Sequence, residues 1–498
     1  MDMILTTPST VRLPEDSDKV RKFLTYTDSA IQYQIKELSK KYHWKRNDPE
    51  AFQARMDELK ASVHKTLLKY DASGPYTYSG LWSELREEFG WQLQPKEFHC
   101  EPPRHMIPWA HPPEHEIRYY QNDATEALLN NAHQGPVAIE LPTGSGKSRI
   151  IEEVCKRNPV QTTVITPSKN VTNQLYREMA WLFGTKLVGK YGDGRHDIGK
   201  LFTVCTAQAL MRVEEGSEEW EFFSACQQFV WDESHTTPAN TFDAVELGLL
   251  RNVPYRFHVS ATQMRHDGQD MKLRGIIGPI VYRKEFKELV EEGFLARPYF
   301  KVFNVPSHGL ANNRDIAREQ REQLYLNPNV NRLAAEFAEK AIRLASRPTI
   351  ILLDEFVQFA AIRPYLGSIP FEFCHGGANG EDKKGTKVRD ILPKEFWESD
   401  VEGAVDRFNR GDTQLLVGTK AISTGVDTKP TGCLVNLQGG LSEVATKQAI
   451  GRGTRVTDKK KDLIVVDFRV VGSSAMERHA DTRCEIYRTM GDVQEINA

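Results

Sequence analysis

Lys147 and Ser148 close the run Leu141-Pro142-Thr143-Gly144-Ser145-Gly146-Lys147-Ser148. Its residue types and spacing suit a phosphate. Glycines let backbone N–H groups converge on an anion, and a helix starting behind them adds the partial positive charge of its N-terminus. Lys147 can reach β- and γ-phosphates, and the Ser148 hydroxyl can sit on Mg²⁺. The general pattern asks for Gly at the first position, where this chain has Leu141. A second chemical pair is Asp232-Glu233. Asp232 can hold Mg²⁺ through water, and Glu233 can orient and deprotonate an attacking water. Adjacent carboxylates alone are usually a solvated turn. At a strand end, downstream of a phosphate loop, they read as phosphoryl-transfer groups. The third set is Gln448-Ala449-Ile450-Gly451-Arg452-Gly453-Thr454-Arg455. Arg452 and Arg455, three apart on an expected helix, share a face. They can steady the charge that spreads over a transferring phosphoryl group, while Gln448 helps place the water. A surface salt-bridge pair is the competing reading for the arginines.

These residues need elements to hold them. Val137-Ala138-Ile139 before the glycine loop reads as a strand, and Ser148 to Val154 behind it as a helix. Thr163-Val164-Ile165, Phe202-Thr203-Val204, Phe229-Val230-Trp231 and Arg256-Phe257-His258-Val259 read as further short strands between helices. That alternation is the rhythm of a parallel sheet covered on both faces. It returns with Thr349 to Leu353, Gln414 to Val417, Cys433 to Leu437 and Leu463 to Val466. The expected fold is therefore α/β, with two parallel sheets flanked by helices and a cleft between them. Residues 1–92 look like a small N-terminal α+β accessory domain. There Ala51, Phe52, Met56, Leu59, Val63 and Leu67 fall at helical spacing, and Tyr76-Thr77-Tyr78 reads as a strand. Ser79 is a plausible N-cap for a helix through Phe89 that Gly90 stops. Residues 93–115 are rich in proline and read as a stiff linker. The first α/β domain is placed at 116–298 and the second at 299–498.

At 498 residues the chain is long for one domain. Its 40% hydrophobic and 27% charged residues are those of an ordinary globular protein. No segment has the roughly 18 uninterrupted apolar residues of a membrane span. The N-terminus lacks a basic-then-apolar signal pattern. The seven cysteines stand singly, which suggests reduced thiols in the cytoplasm. A formal net charge of −3 excludes a wholly basic surface, so a nucleic-acid site must be a local strip.

Asp232-Glu233-Ser234-His235, Ser260-Ala261-Thr262 and the Gln448–Arg455 run are similar to motifs II, III and VI of superfamily 2 helicases. In that superfamily the first position of the phosphate loop is often not Gly, which accounts for Leu141. Arg118-Tyr119-Tyr120-Gln121 resembles the adenine-reading Q-motif region. Thr166-Pro167-Ser168-Lys169, Thr206-Ala207-Gln208 and Gly418-Thr419-Lys420 with Thr424-Gly425-Val426-Asp427 look like motifs Ia, Ic and V. The resemblance spans about residues 116–470, with the motifs in order, and implies that the two α/β domains are RecA-like. It implies ATP and Mg²⁺ as cofactors, held by Arg118, Tyr120, Gln121, Pro142, Thr143, Gly144, Ser145, Gly146, Lys147, Ser148, Gly425 and Asp427. Ser148 and Asp232 would meet the metal, and His235 would couple the nucleotide site to Ser260 or Thr262. Gln121 also reads as an ordinary helix-start residue, and His235 as a packed core histidine.

Thr166, Ser168, Lys169, Thr206, Thr419 and Lys420 suit phosphate contacts along a single nucleic-acid strand; capping hydroxyls and solvated lysines are the plain alternative. The stretch from Arg265 to Pro298 resembles the join between the two cores in duplex-DNA-directed members: phage UvsW-type branch-migration helicases, XPB-like helicases and restriction motors. Gln263 stands where those usually have Pro. Compact size and a small N-terminal domain fit the phage group best. The resemblance thus implies a monomeric DNA helicase moving 3′→5′ on forks, D-loops, R-loops or Holliday junctions, alongside recombination or replication proteins. A restriction or defence motor and a nucleotide-switched DNA-binding or annealing factor remain as alternatives. Lys36, Lys40, Lys41, Lys45 and Arg46 cluster around Tyr42, His43 and Trp44. Two readings stand for Trp44: a ring that stacks on bases, or one that packs inward. His99, Cys100, His105, His111 and His115 match no standard zinc spacing.

Overall fold

The computed structural model describes residues 1–40, 42–94, 106–234, 239–261, 270–376, 381–382, 385–419, 422, 428, 430–441, 443–457 and 460–497, with backbone alone at 42–43, 239–240, 270, 444–445 and 452. The chain forms two compact units. Met1–Leu141 with Lys147–Arg283 make the first, and Pro142–Gly146 with Lys284–Ala498 the second.

The first unit carries an eight-stranded sheet. Its spatial order is Arg195–His196, Val188–Gly192, Phe202–Thr206, Thr162–Thr166, Gln228–Asp232, Tyr255–Ser260, Val137–Glu140, Ile280–Arg283. Every neighbouring pair is parallel except the Val188–His196 hairpin. Strands at the centre are apolar along their whole length, as a sheet covered on both faces demands. The second unit has seven parallel strands, in the order Glu372–Cys374, Leu415–Gly418, Thr349–Leu352, Cys433–Asn436, Asp462–Val471, Arg297–Pro306, Asp492–Asn497. The α/β reading with two parallel sheets therefore holds. The sequence reading passed over the strands Val188–Gly192, Ile280–Arg283, Arg297–Pro306, Glu372–Cys374 and Asp492–Asn497. Several of these lie at sheet edges and are part polar, so they lack a continuous apolar run.

Residues 1–94 form a mixed five-stranded sheet with helices. Two local expectations need correction. The Pro49–Ser62 helix buries Phe52, Met56 and Leu59 as its spacing requires, but it ends before Leu67, which joins a different cluster. The Ser79 hydroxyl donates to the Pro8 carbonyl at 2.8 Å and does not cap the Trp82–Phe89 helix. Gly90 does end that helix, at φ 71°. This region shares one apolar cluster with Leu273, Ile276 and Ile277 of the Asp270–Ile277 helix. Gly80 makes the close approach possible, since a Cβ there would lie 2.5 Å from the Gly275 carbonyl oxygen. The described end of the proline-rich stretch is also packed down. Trp109 lies 4.9 Å from the Phe183 ring, under Arg149 and Lys156, and Ala110 N–H donates to Leu182.

The helix after the glycine loop, Lys147–Arg157, buries Ile150, Ile151, Val154 and Cys155, together with two acids. Arg149 and Arg157 close on Glu153 at 2.7 and 3.1 Å, while Glu152 keeps only a 3.7 Å contact with Arg149. Burial, aided by the nearby Glu178, pushes the Glu152 carboxyl up to about 8. The folded chain then holds a proton that the unfolded chain releases above the ordinary value of 4.5. Stability must fall as pH rises from 4.5 towards 8. Glu152→Gln should raise stability by about 1–2 kcal/mol at pH 8 and leave it unchanged near pH 4, as read by denaturant unfolding. A gain independent of pH would contradict a neutral buried Glu152.

Candidate nucleotide site and adjoining groove

Three strand ends build the site. Val137–Glu140 runs into the glycine loop, Gln228–Asp232 into Glu233, and Tyr255–Ser260 into Ala261. These strands are neighbours, with Glu140 paired to Ser260 and Asp232 to Val259. Parallel pairing thus brings all three carboxyl ends to one edge. Leu141, the irregular first position, is fully buried and its N–H donates to Ser260 O at 2.9 Å. It anchors the loop in the core. Gly144 and Gly146 take φ values of 90° and 82°, the left-handed region that glycine enters without penalty.

Glu233 is the centre of the arrangement. Its backbone is itself left-handed, at φ 49°, a conformation costing a non-glycine residue roughly 1–2 kcal/mol. The Glu233 N–H donates to Val259 O at 2.8 Å, which holds the turn. The carboxylate meets three donors: Lys147 Nζ at 3.1 Å, Ser260 Oγ at 3.2 Å and the Ala261 N–H at 3.3 Å. Lys147 and Glu233 are only 10% and 15% exposed, so their attraction is weakly screened. Lys147 Nζ also donates to Leu141 O at 3.4 Å. An ammonium, a glycine cradle and a fixed carboxylate are the donor and acceptor set that a nucleoside triphosphate with Mg²⁺ requires.

The other named residues are placed as follows. Gln121 is buried, and its side-chain oxygen accepts from Arg118 N–H at 3.0 Å, closing the first turn of the Tyr119–Asn131 helix. Arg118 donates to the buried Tyr120 hydroxyl at 2.9 Å. Gln448 lies in the Glu443–Gly453 helix. Arg455 does not share that helix with Arg452; the helix has ended, and Arg455 forms an antiparallel bridge with Leu295. Thr419 is buried in the second unit. Trp44 packs inward, edge-on to Phe52 at 5.9 Å. His235, Thr262, Lys420, Gly425, Asp427 and the Arg452 side chain lie outside the described residues, as do Gln263, Lys41, His99, Cys100, His105 and the side chains of Tyr42 and His43. Sequence reasoning missed the direct Ser260–Glu233 contact. It depends on a turn geometry at residue 233 that residue types alone do not reveal.

Further along the same sheet edge, Ser168, Lys169 and Thr206 line a groove of about 720 Å³. Ser168 and Thr206 each cap the helix that follows them, accepting from Val171 and Ala209 N–H. Thr166 is not available to a ligand. It is fully buried, with its hydroxyl against Thr172 Oγ1 and the Cys205 carbonyl. Lys190, His196 and Arg212, which no motif flagged, complete the basic lining. Among the described residues no helix is long and apolar enough to cross a membrane, and no three or more His, Cys, Asp or Glu side chains gather into a metal-binding cluster.

Residues 114–265 match the family described as type III restriction enzyme, res subunit, and residues 396–457 match the helicase conserved C-terminal domain. The chain is 22% identical over 370 residues to the DNA 3′-5′ translocase XPB2 of Sulfurisphaera tokodaii, covering 70% of this chain and 81% of that protein. Over the first three relatives, the share of their length that is matched runs from 52% to 81%. Among solved structures, the type ISP restriction-modification enzyme LlaBIII bound to DNA superposes with a TM-score of 0.52 at 12% identity, over 77% of this chain and 31% of that one. T4 UvsW aligns over 100% of this chain and 99% of its own at 15% identity, with a TM-score of 0.42, too loose to bear on substrate.

Lys147→Ala should weaken ATP binding at least about tenfold, measured by titration with a fluorescent nucleotide, because it removes the one described ammonium beside the cradle. Unchanged affinity would contradict this placement of the phosphates.

Proposed function

We propose that this chain, which carries the helicase domains of superfamily 2 and is an ATP-dependent helicase, moves 3′→5′ along one DNA strand and acts on branched DNA. The observation that supports turnover is the Glu233 carboxylate, pinned by Lys147, Ser260 and the Ala261 N–H beside the glycine cradle. Bound ATP and Mg²⁺ would supply the transferable phosphoryl group and its charge neutralisation. Lys147 binds the phosphates and leaves the Glu233 carboxylate when it does so. Ser148 and Asp232 would hold the metal. Glu233, kept in place by Ser260, accepts the proton of the attacking water, and Gln448 orients that water. Arg452 and Arg455 steady the developing charge. His235 couples the nucleotide site to Ser260 or Thr262. The 3′→5′ direction is also the one printed in the name of the XPB2 relative.

The substrate is proposed to be a fork, D-loop, R-loop or Holliday junction. Residues 1–94 would help choose it, since they share a core with the first motor unit and travel with it. Ser168, Lys169 and Thr206 of the groove, with Thr419 and Lys420 of the second unit, would track the strand. A second reading is favoured by the res-subunit match: a restriction or defence motor that moves on duplex without separating strands.

Glu233→Gln should still bind ATP yet lose phosphate release and strand displacement together, by about 10²-fold or more. Normal turnover in that variant would remove Glu233 from the role of base. Labelled forks, Holliday junctions and blunt duplexes separate the two readings. Displacement of branched strands supports the proposal; translocation on blunt duplex without displacement supports the restriction motor.

A further inference from the structure

The groove beside Lys169 contains an acid that the strand-tracking reading does not use. Asp193 sits at the tip of the hairpin joining Val188–Gly192 to Arg195–His196. Three successive residues there are left-handed: Gly192 at φ 99°, Asp193 at 55° and Gly194 at 78°. Asp is among the few side chains that tolerate this region. The turn is also pressed against its neighbour, since a Cβ on Gly192 would lie 2.9 Å from the Ala209 Cβ. Direction and position of the tip are therefore fixed.

That tip delivers a carboxylate onto two ammonium groups. Asp193 Oδ1 lies 2.6 Å from Lys169 Nζ, and Oδ2 lies 3.8 Å from Lys190 Nζ. Lys190 is only 9% exposed and is anchored by Asn173 Oδ1 at 2.6 Å. Lys169 holds the Asp193 carboxyl below its usual range, so the group is charged at neutral pH. A carboxylate and a phosphodiester each offer two oxygens that share one negative charge. Lysine ammoniums, as compact point charges, accept either.

We propose that Asp193 is a built-in competitor for a nucleic-acid phosphate: it occupies the place between Lys169 and Lys190 that a backbone phosphodiester takes when a single strand enters, and it must be displaced for the groove to close on the strand. This rests on the reading of the groove as the strand-tracking surface. The competitor is weak enough to yield. Asp193 and Lys169 are exposed, and an exposed ion pair is worth about 0–1 kcal/mol. Its effect is to loosen the grip at each phosphate, which suits a motor that must release the strand as often as it holds it.

The test is fluorescence anisotropy of a labelled single-stranded DNA oligonucleotide with the full chain, without nucleotide, over a range of salt. Asp193→Asn removes the charge and retains a residue that tolerates the left-handed turn; a matching thermal melt checks the fold. D193N should bind about three- to fivefold tighter, with a steeper dependence on salt. Lys169→Ala should weaken binding, and the gain from D193N should largely vanish in the K169A/D193N double variant. If K169A weakens binding but D193N changes nothing, the groove holds DNA and the competitor is overturned. An equal gain from D193N with and without Lys169 would mean only a change in overall charge, and overturns it too. If neither variant matters, the strand-tracking reading itself fails.

Discussion

Parallel pairing of three adjacent strands is the constraint on which the rest depends. With Asp232 opposite Val259 and Ser260 opposite Glu140, the glycine loop, the carboxylate pair and the Ser260 hydroxyl must emerge side by side. A shift of one residue between Gln228–Asp232 and Tyr255–Ser260 would move Ser260 to the opposite face and out of reach of Glu233. The register is fixed by burial, since strand residues such as Trp231, Phe257 and Ile139 are fully enclosed. The left-handed turn at Glu233 is the local cost of this arrangement. It is offset by the bonds that converge on that residue's backbone and carboxylate.

The same sheet edge joins the proposed nucleotide site to the proposed strand-tracking groove. Gln228–Asp232 pairs on one side with Tyr255–Ser260 and on the other with Thr162–Thr166. Glu233 therefore follows a strand whose other neighbour leads into Ser168 and Lys169. The two places are thus one strand apart in a parallel sheet whose central strands are buried. A net charge of −3 is compatible with the proposed polyanionic ligand, because Lys169, Lys190 and Arg212 are concentrated in one place.

Much of this was legible in the residues. Apolar runs located most central strands within a residue or two, because burial on both faces leaves a continuous signal, but Leu463–Val466 marks less than half of the strand Asp462–Val471. The glycine loop and the Asp232-Glu233 pair carried their chemistry in their types. What was not legible depended on tertiary placement. Thr166 resembles a ligand-facing hydroxyl in sequence, yet it turns into the sheet to meet Thr172 and Cys205. Arg455 continues the helical spacing of Arg452, but the helix stops at Gly453. The hairpin at Gly192-Asp193-Gly194 was overlooked, although a Gly-Asp-Gly turn between Val188–Gly192 and Arg195–His196 is a recognisable signal.

If the pinned Glu233 carboxylate serves a motor, hydrolysis must answer to DNA. Steady-state phosphate release by the full chain, measured with Mg²⁺ and ATP before and after adding single-stranded DNA, tests it most directly. The account predicts a rate that is low alone and rises several-fold on addition of DNA, saturating as the groove fills. An identical rate with and without DNA would contradict it.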